Sequence, residues 1–217
     1  MARPKTIEDA DILRAAREVF IEGGALGSTR EIARRMGVSE ATLFKRFPTK
    51  TALFLAAMAP PPADTELLLA RARAQKDTRK ALQIIGELTL EYFRTAIPRM
   101  LPLITHPAIG IDELLRRFGE SPASALSKAI TTYVAEQHTA GAIFAPKPMA
   151  VAGLIVATMH SIVLFELMGL HEGEIPHIAV RAMLNTLWRG IAPSASANRL
   201  RKPTVTKRLS QSRKQQL

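Results

Sequence analysis

The stretch REIARRMGVSEATLFKRF, residues 30–47, concentrates the side chains of this chain that can do chemistry on a polyanion. Ser39 and Thr42 carry hydroxyls able to hydrogen-bond a phosphate or a base edge, and Ala41 is small enough to approach a thymine methyl. Lys45, Arg46 and Lys50 supply positive charge to phosphates on either side of a groove, and Phe44 faces outward among them. Thr29 and Arg30 open the preceding helix, and the N–H groups at the starts of successive short helices suit the same anions. Glu40 is the odd member. It repels phosphate, so it either accepts from a cytosine amino group or caps its own helix.

The elements that must hold these groups are legible around them. A first helix is expected in TIEDADILRAAREVFIEGG, with Thr6 as N-cap, Ile12, Ala16, Val19 and Phe20 on one face, and Gly23-Gly24 at its end. Ser28-Thr29-Arg30-Glu31 reads as a capping box opening a second helix with Ile32, Ala33 and Met36 inward. Gly37 then supplies a left-handed turn that a side chain resists. Ser39 caps a third helix, anchored by Val38, Leu43 and Phe47 and closed by Pro48, and Thr49 caps a fourth. Two helices meeting at a tight turn, the second lined with polar and cationic groups, fit a helix-turn-helix whose second helix would enter the major groove, and also an αα-hairpin with a solvated basic face.

Pro60-Pro61-Pro62 ends the fourth helix, because consecutive prolines lack donors and force extended backbone. Helical runs follow at 64–75, 78–96, 98–105, 110–119, 122–140, 147–169 and 175–191, with hairpin signals missing, so the fold class is all-α. The expected division is a DNA-binding head at 1–50, a helical body at 51–192 and a basic tail at 193–217.

Charge follows the same division. The net +11 splits into +3 for residues 1–50, +1 for 51–192 and +7 for 193–217, so the two ends, rather than the middle, suit a polyanion. Cysteine is absent, which excludes disulfides, thiolate metal sites and cysteine nucleophiles and suits a reducing cytoplasm. The N-terminus turns acidic without an apolar leader region. No nucleophile motif, phosphate-cradling glycine loop or catalytic acid pair stands out, so neither an enzyme nor a cofactor is expected.

The run ILRAAREVFIEGGALGSTREIARRMGVSEATLFKRFPTKTALF resembles the N-terminal domain of TetR-family transcriptional repressors over about residues 10–58. The resemblance implies an all-helical homodimer that binds a palindromic double-stranded operator through two heads. It also implies a C-terminal domain of variable sequence that holds an effector pocket and the dimer interface. Departures are visible: Ala25 stands where the family commonly has an aromatic residue, and Glu40, Ala41 and Phe44 stand where it commonly has Lys or Pro, Gly and Tyr. Phe44 lacks the hydroxyl a tyrosine offers to phosphate, which places more of the anchoring on Lys45 and Arg46.

In the body, MAVAGLIVATMHSIVLFELMGL (149–170) is long enough to span a bilayer, but His160 and Glu166 make that costly. A helix buried against its own domain on one side and a second subunit on the other explains it better. The next helix offers Ile178, Ala182, Leu184, Leu187 and Trp188 as contacts, and the resemblance pairs these last two long helices with their mates. No membrane is expected as a partner. Phe93, Met100, Leu103, His106, Phe118, Met159 and His160 are the candidate lining of a mainly apolar effector pocket. HEGEIPH (171–177) gathers His171, Glu172, Glu174 and His177 but lacks the i, i+4 histidine pair of a helical metal site, so no metal is assigned. Two other readings compete: a non-specific chromosome-associated DNA-binding protein and a membrane-attached helical protein.

Overall fold

In the computed structural model, residues 8–119 and 121–193 are described, and among them every regular element is helical. Residues 194–217 of the basic tail, and Thr6, lie outside the described residues. α1 spans Asp9–Gly23 with Glu8 at its N-cap, α2 spans Thr29–Met36 and α3 spans Glu40–Arg46. A single 3₁₀ turn, Gly24–Leu26, joins the first two. The capping expectations hold where they depend on one oxygen. Ser28, Ser39 and Thr49 accept from the backbone N–H of Glu31, Thr42 and Ala52 at 3.3, 3.2 and 3.0 Å. The return half of the capping box is spent elsewhere, because the Glu31 carboxylate is taken up by Arg34 and Arg35. Gly37 sits at φ 66°, the left-handed turn its type permits at little cost.

These helices close on a small core of Ile12, Ala16, Phe20, Ile32, Ala33 and Leu43. Val38 and Phe47 pack at its edge. Leu53, Phe54, Leu55, Ala57 and Met58 of α4 (Lys50–Met58) belong to the same cluster, so the packing of the head extends past residue 50 to the proline run. Phe20 and Phe54 meet edge to face at 5.0 Å, an arrangement that places ring hydrogens on an electron-rich face.

The body comprises α5 (Thr65–Arg73), α6 (Thr78–Ile104), α7 (Ile111–Phe118), α8 (Pro122–Thr139), α9 (Pro148–Leu167) and α10 (His177–Ile191). One sequence expectation is corrected here. The runs 78–96 and 98–105 are a single helix, α6, with Pro98 and Pro102 inside it. The two prolines are four residues apart, so the lost i→i−4 bonds, to Arg94 and then to Pro98 itself, fall on one stripe and leave the rest of the ladder intact. The helix is also clamped by both cores. Leu82, Ile85, Leu90 and Phe93 belong to the body cluster, whereas Leu103 belongs to the head cluster. At Gly86 an added Cβ would stand 2.5 Å from Leu184 Cδ1, so the missing side chain lets α6 and α10 approach closely.

Glu166, the acid within the apolar stretch, has a specific task. Arg94 of α6 donates to both its oxygens at 3.1 and 2.8 Å, and the Ile175 N–H donates at 2.6 Å. Burial pushes the Glu166 carboxyl up, but the hydrogen bonds from Arg94 and Ile175 outweigh it and hold the group below the ordinary carboxylate range. Arg94 also donates to Glu91 and to the Ile175 carbonyl, and it lies 3.3 Å from Glu174. The turn between α9 and α10 is thereby fastened to α6. His177 approaches Glu91 at 3.7 Å, so Glu174 and His177 of the HEGEIPH segment face an ion-pair network.

Candidate nucleic-acid interface and effector cleft

The reading helix α3 rests on Leu43, which is fully buried, while Ser39, Ala41, Phe44, Lys45 and Arg46 are exposed. Ser39 and Thr42 share a hydroxyl–hydroxyl bond of 2.9 Å, which pre-orients both oxygens at the start of the helix. Thr42 and Lys50 are half-buried, and Arg30 is exposed at the first turn of α2. All the residues that the sequence assigns to the nucleic-acid face therefore lie on α2, α3 or the start of α4.

Two of them have partners that the sequence did not disclose. The Thr29 hydroxyl donates to Glu40 at 2.6 Å, so the carboxylate is tied back to α2. Arg46 is ion-paired with Asp9 of α1. Charge on α2 is also internally spent. Arg34 and Arg35 hold Glu31 down at about 2 through hydrogen bonds, and Arg35 further meets Glu22 at 3.1 Å and Glu18 at 3.6 Å. Among the described residues, Arg30, Lys45 and Lys50 make no ion pair with a carboxylate. The Arg46–Asp9 pair spans 37 positions, and nothing in local spacing announces it.

The seven effector-pocket candidates divide. Met100 and Leu103 of α6 and Phe118 of α7 line one apolar cleft of about 240 Å³. Ile104, Ile111, Leu114 and Leu115 complete most of its wall, and Pro60 of the proline run closes one side. Phe93, Met159 and His160 lie elsewhere: Phe93 and Met159 are body core, and the His160 ring packs edge to face on Phe93 at 5.4 Å. His106 accepts from the Ala108 N–H at 3.1 Å and packs on Phe54 of the head at 4.9 Å. The wall residues missed by sequence reasoning carried a signal: Ile111, Leu114 and Leu115 share one helical stripe with the expected Phe118. α7 buries none of its side chains fully and lies over the cleft, with Leu114 and Phe118 packed against the head core.

A three-helix head with a glycine-turned reading helix, carried on a helical body, is the fold of DNA-binding transcriptional regulators. Residues 12–57 match the family model for bacterial regulatory proteins of the tetR family, so the head is of TetR type. Solved structures extend the likeness of fold to the body. A protein from Saccharomonospora viridis assigned as a transcriptional regulator, solved in complex with choline, superposes with a TM-score of 0.65 at 19% identity, over 85% of this chain and 97% of that one. A Mesorhizobium loti protein assigned to the TetR family superposes with a TM-score of 0.62 at 16% identity, over 85% of this chain and 96% of the other. A Clostridium perfringens protein assigned as a fatty acid metabolism regulator gives 0.58 at 18% identity, over 85% of this chain and all of the other (100%). No curated protein is similar to the chain at a significant level.

Proposed function

We propose that this protein is a cytoplasmic, homodimeric repressor that binds a palindromic DNA operator and is released by a small, largely apolar effector. The observation that carries the reading is α3 itself, a helix capped by Ser39 and turned by Gly37 that leaves Ala41, Thr42, Phe44, Lys45 and Arg46 available to a duplex. Its N-terminal residues meet base edges while Arg30, Lys45, Arg46 and Lys50 hold the flanking phosphates. Two such helices, one per protomer, engage half-sites about 34–36 Å apart.

The dimer forms through α9 and α10. α9 is long and apolar enough to cross a membrane, and a soluble helix of that composition needs cover on two sides. One side packs on α6 and α8 through Ile155, Met159 and Ile162. The other leaves Leu154 57% exposed, and Ile178 and Met183 of α10 are exposed as well, as a face for the partner's copy. An effector seated beneath α7 acts by preferring a dimer shape in which the heads no longer fit successive major-groove turns.

Selection of bound duplexes from a random pool tests the reading. A recovered palindrome with half-sites one helical turn apart is the expected outcome. Recovery of unrelated sequences with equal affinity would instead mark a non-specific DNA-coating protein.

A further inference from the structure

The wall of the cleft is apolar, and two arginines outside that wall, Arg17 and Arg99, adjoin segments that border it. Arg17 of α1 donates to the Ala57 carbonyl at 3.0 Å, at the last turn of α4. Tyr92 of α6 donates to the Pro61 carbonyl at 3.0 Å. Arg99 follows Tyr92 by two helical turns on the same stripe of α6 and immediately precedes Met100, which lines the cleft. Arg17 is thus bonded to the stretch 57–61, whose Pro60 closes one side of the cleft, and Arg99 stands beside Met100 of the same cleft wall.

The two guanidiniums differ from most arginines that face across helices, although among the described residues Arg79 also meets only an amide, that of Asn185. Arg46, Arg73, Arg94 and Arg181 each meet a carboxylate within 3.5 Å. Among the described residues, neither Arg17 nor Arg99 makes such a pair. Arg99 is half-buried, and burial first and then the like charge of Arg17 hold its pKa below the ordinary value. Two cations brought together beside an apolar wall without a counter-charge are stabilised by an incoming anion, which gains hydrogen bonds strengthened by partial desolvation.

We infer that the effector is an amphipathic anion: an apolar chain lies in the cleft between α6 and α7, and a single anionic end reaches Arg99 and Arg17. The inference rests on the reading of this cleft as the effector site and adds the chemical class of what fills it. A carboxylate and a phosphate monoester share this chemistry. Either one bridges α1 of the head to α6, so the ligand's charged end bears on the helix that both cores share.

The test is titration of the full-length protein by calorimetry with decanoate, decyl phosphate and 1-decanol, each below its micellar concentration. At least one of the two anions is expected to bind about tenfold more tightly than decanol, the difference one charge-assisted hydrogen bond supplies. Raising salt should narrow that gap. Arg99→Gln should erase the preference while leaving decanol binding unchanged, and Arg99→Lys should restore part of it. Preference for both anions would mean the site reads charge alone, and preference for one would identify the head group; both support the inference. Equal binding of decanol and the anions overturns it, and so does an Arg99→Gln protein that keeps the tenfold preference. Should that variant fail to fold, the salt dependence of the gap on the unaltered chain decides. Leu114→Trp, which fills the cleft, separates the two levels: loss of equal binding by all three probes leaves the cleft as effector site with the anion claim refuted. Absence of binding by every probe refutes both.

Discussion

The Thr29 hydroxyl donates to the Glu40 carboxylate at 2.6 Å, joining the first turn of α2 to the first turn of α3. The bond both braces the turn at Gly37 and fixes the one negative charge on the reading face. Thr29→Val should lower stability by about 1 kcal/mol, seen as a reduced urea midpoint at unchanged helicity. Glu40→Gln keeps an acceptor but removes the charge, so affinity for a scrambled duplex should rise several-fold at constant salt. Unchanged affinity would mean that Glu40 faces away from the phosphates.

Arg46 is expected to leave Asp9 for a phosphate when DNA binds. Asp9→Asn removes the competitor, so operator affinity should increase at low salt. Arg46→Ala should make the log–log dependence of affinity on salt shallower by about 0.9, one phosphate contact. Thr42→Val, which has no charge to lose, should weaken operator binding without altering that slope. Mobility-shift titrations across a salt series read all three, and normal binding by both Thr42→Val and Arg46→Ala would remove α3 from the interface.

The Glu166–Arg94 pair predicts a pH dependence of definite sign. The folded carboxyl titrates below its ordinary value of 4.5. Its contribution is therefore complete above that pH and is lost as pH falls through the folded value, because the unfolded chain then binds the proton first. The stability gap between the unaltered protein and Glu166→Gln should be flat at neutral pH and close progressively below about pH 4.5. Arg94→Ala should cost about 3 kcal/mol, since it strands a mostly buried carboxylate. Denaturant melts at a series of pH values measure both, and a gap that widens toward acid would contradict the assignment.

Leu154→Glu and Met183→Glu place charge on the exposed apolar face of α9 and α10. Each should shift sedimentation from a dimer to a single chain while circular dichroism is preserved, and operator affinity should fall with it. A variant that remains dimeric would exclude this face.

Residues 193–217 carry +7, and their removal should flatten the salt dependence of binding to any duplex while sparing operator preference. An unaltered slope would rule the segment out of DNA contact.

Much of this architecture could be read from residue type and spacing. Ser28, Ser39 and Thr49 cap where their oxygens predict, and Gly23-Gly24 and Gly37 end helices as glycines do, because caps and turns are decided within a few residues. Long-range partners were not legible. Arg46 looked like a free cation because Asp9 is distant in sequence, and Glu40 looked poised for a base because Thr29 lies on another helix. Pro98 was expected to break the helix, since local rules count the lost hydrogen bond and not the two cores that grip the rod at either end. The effector candidates were chosen for type alone, so they mixed the cleft wall with ordinary core.

The continuity of α6 restricts how the molecule can change shape. With 27 residues it measures about 40 Å, and its opposite ends are embedded in the two hydrophobic interiors. A swivel confined to the proline run would have to pull α6 out of one of those interiors, so the reading head tips with this beam. Rotation of about 10° about its midpoint would carry the far end by roughly 3 Å, enough to throw two paired heads out of step with a duplex.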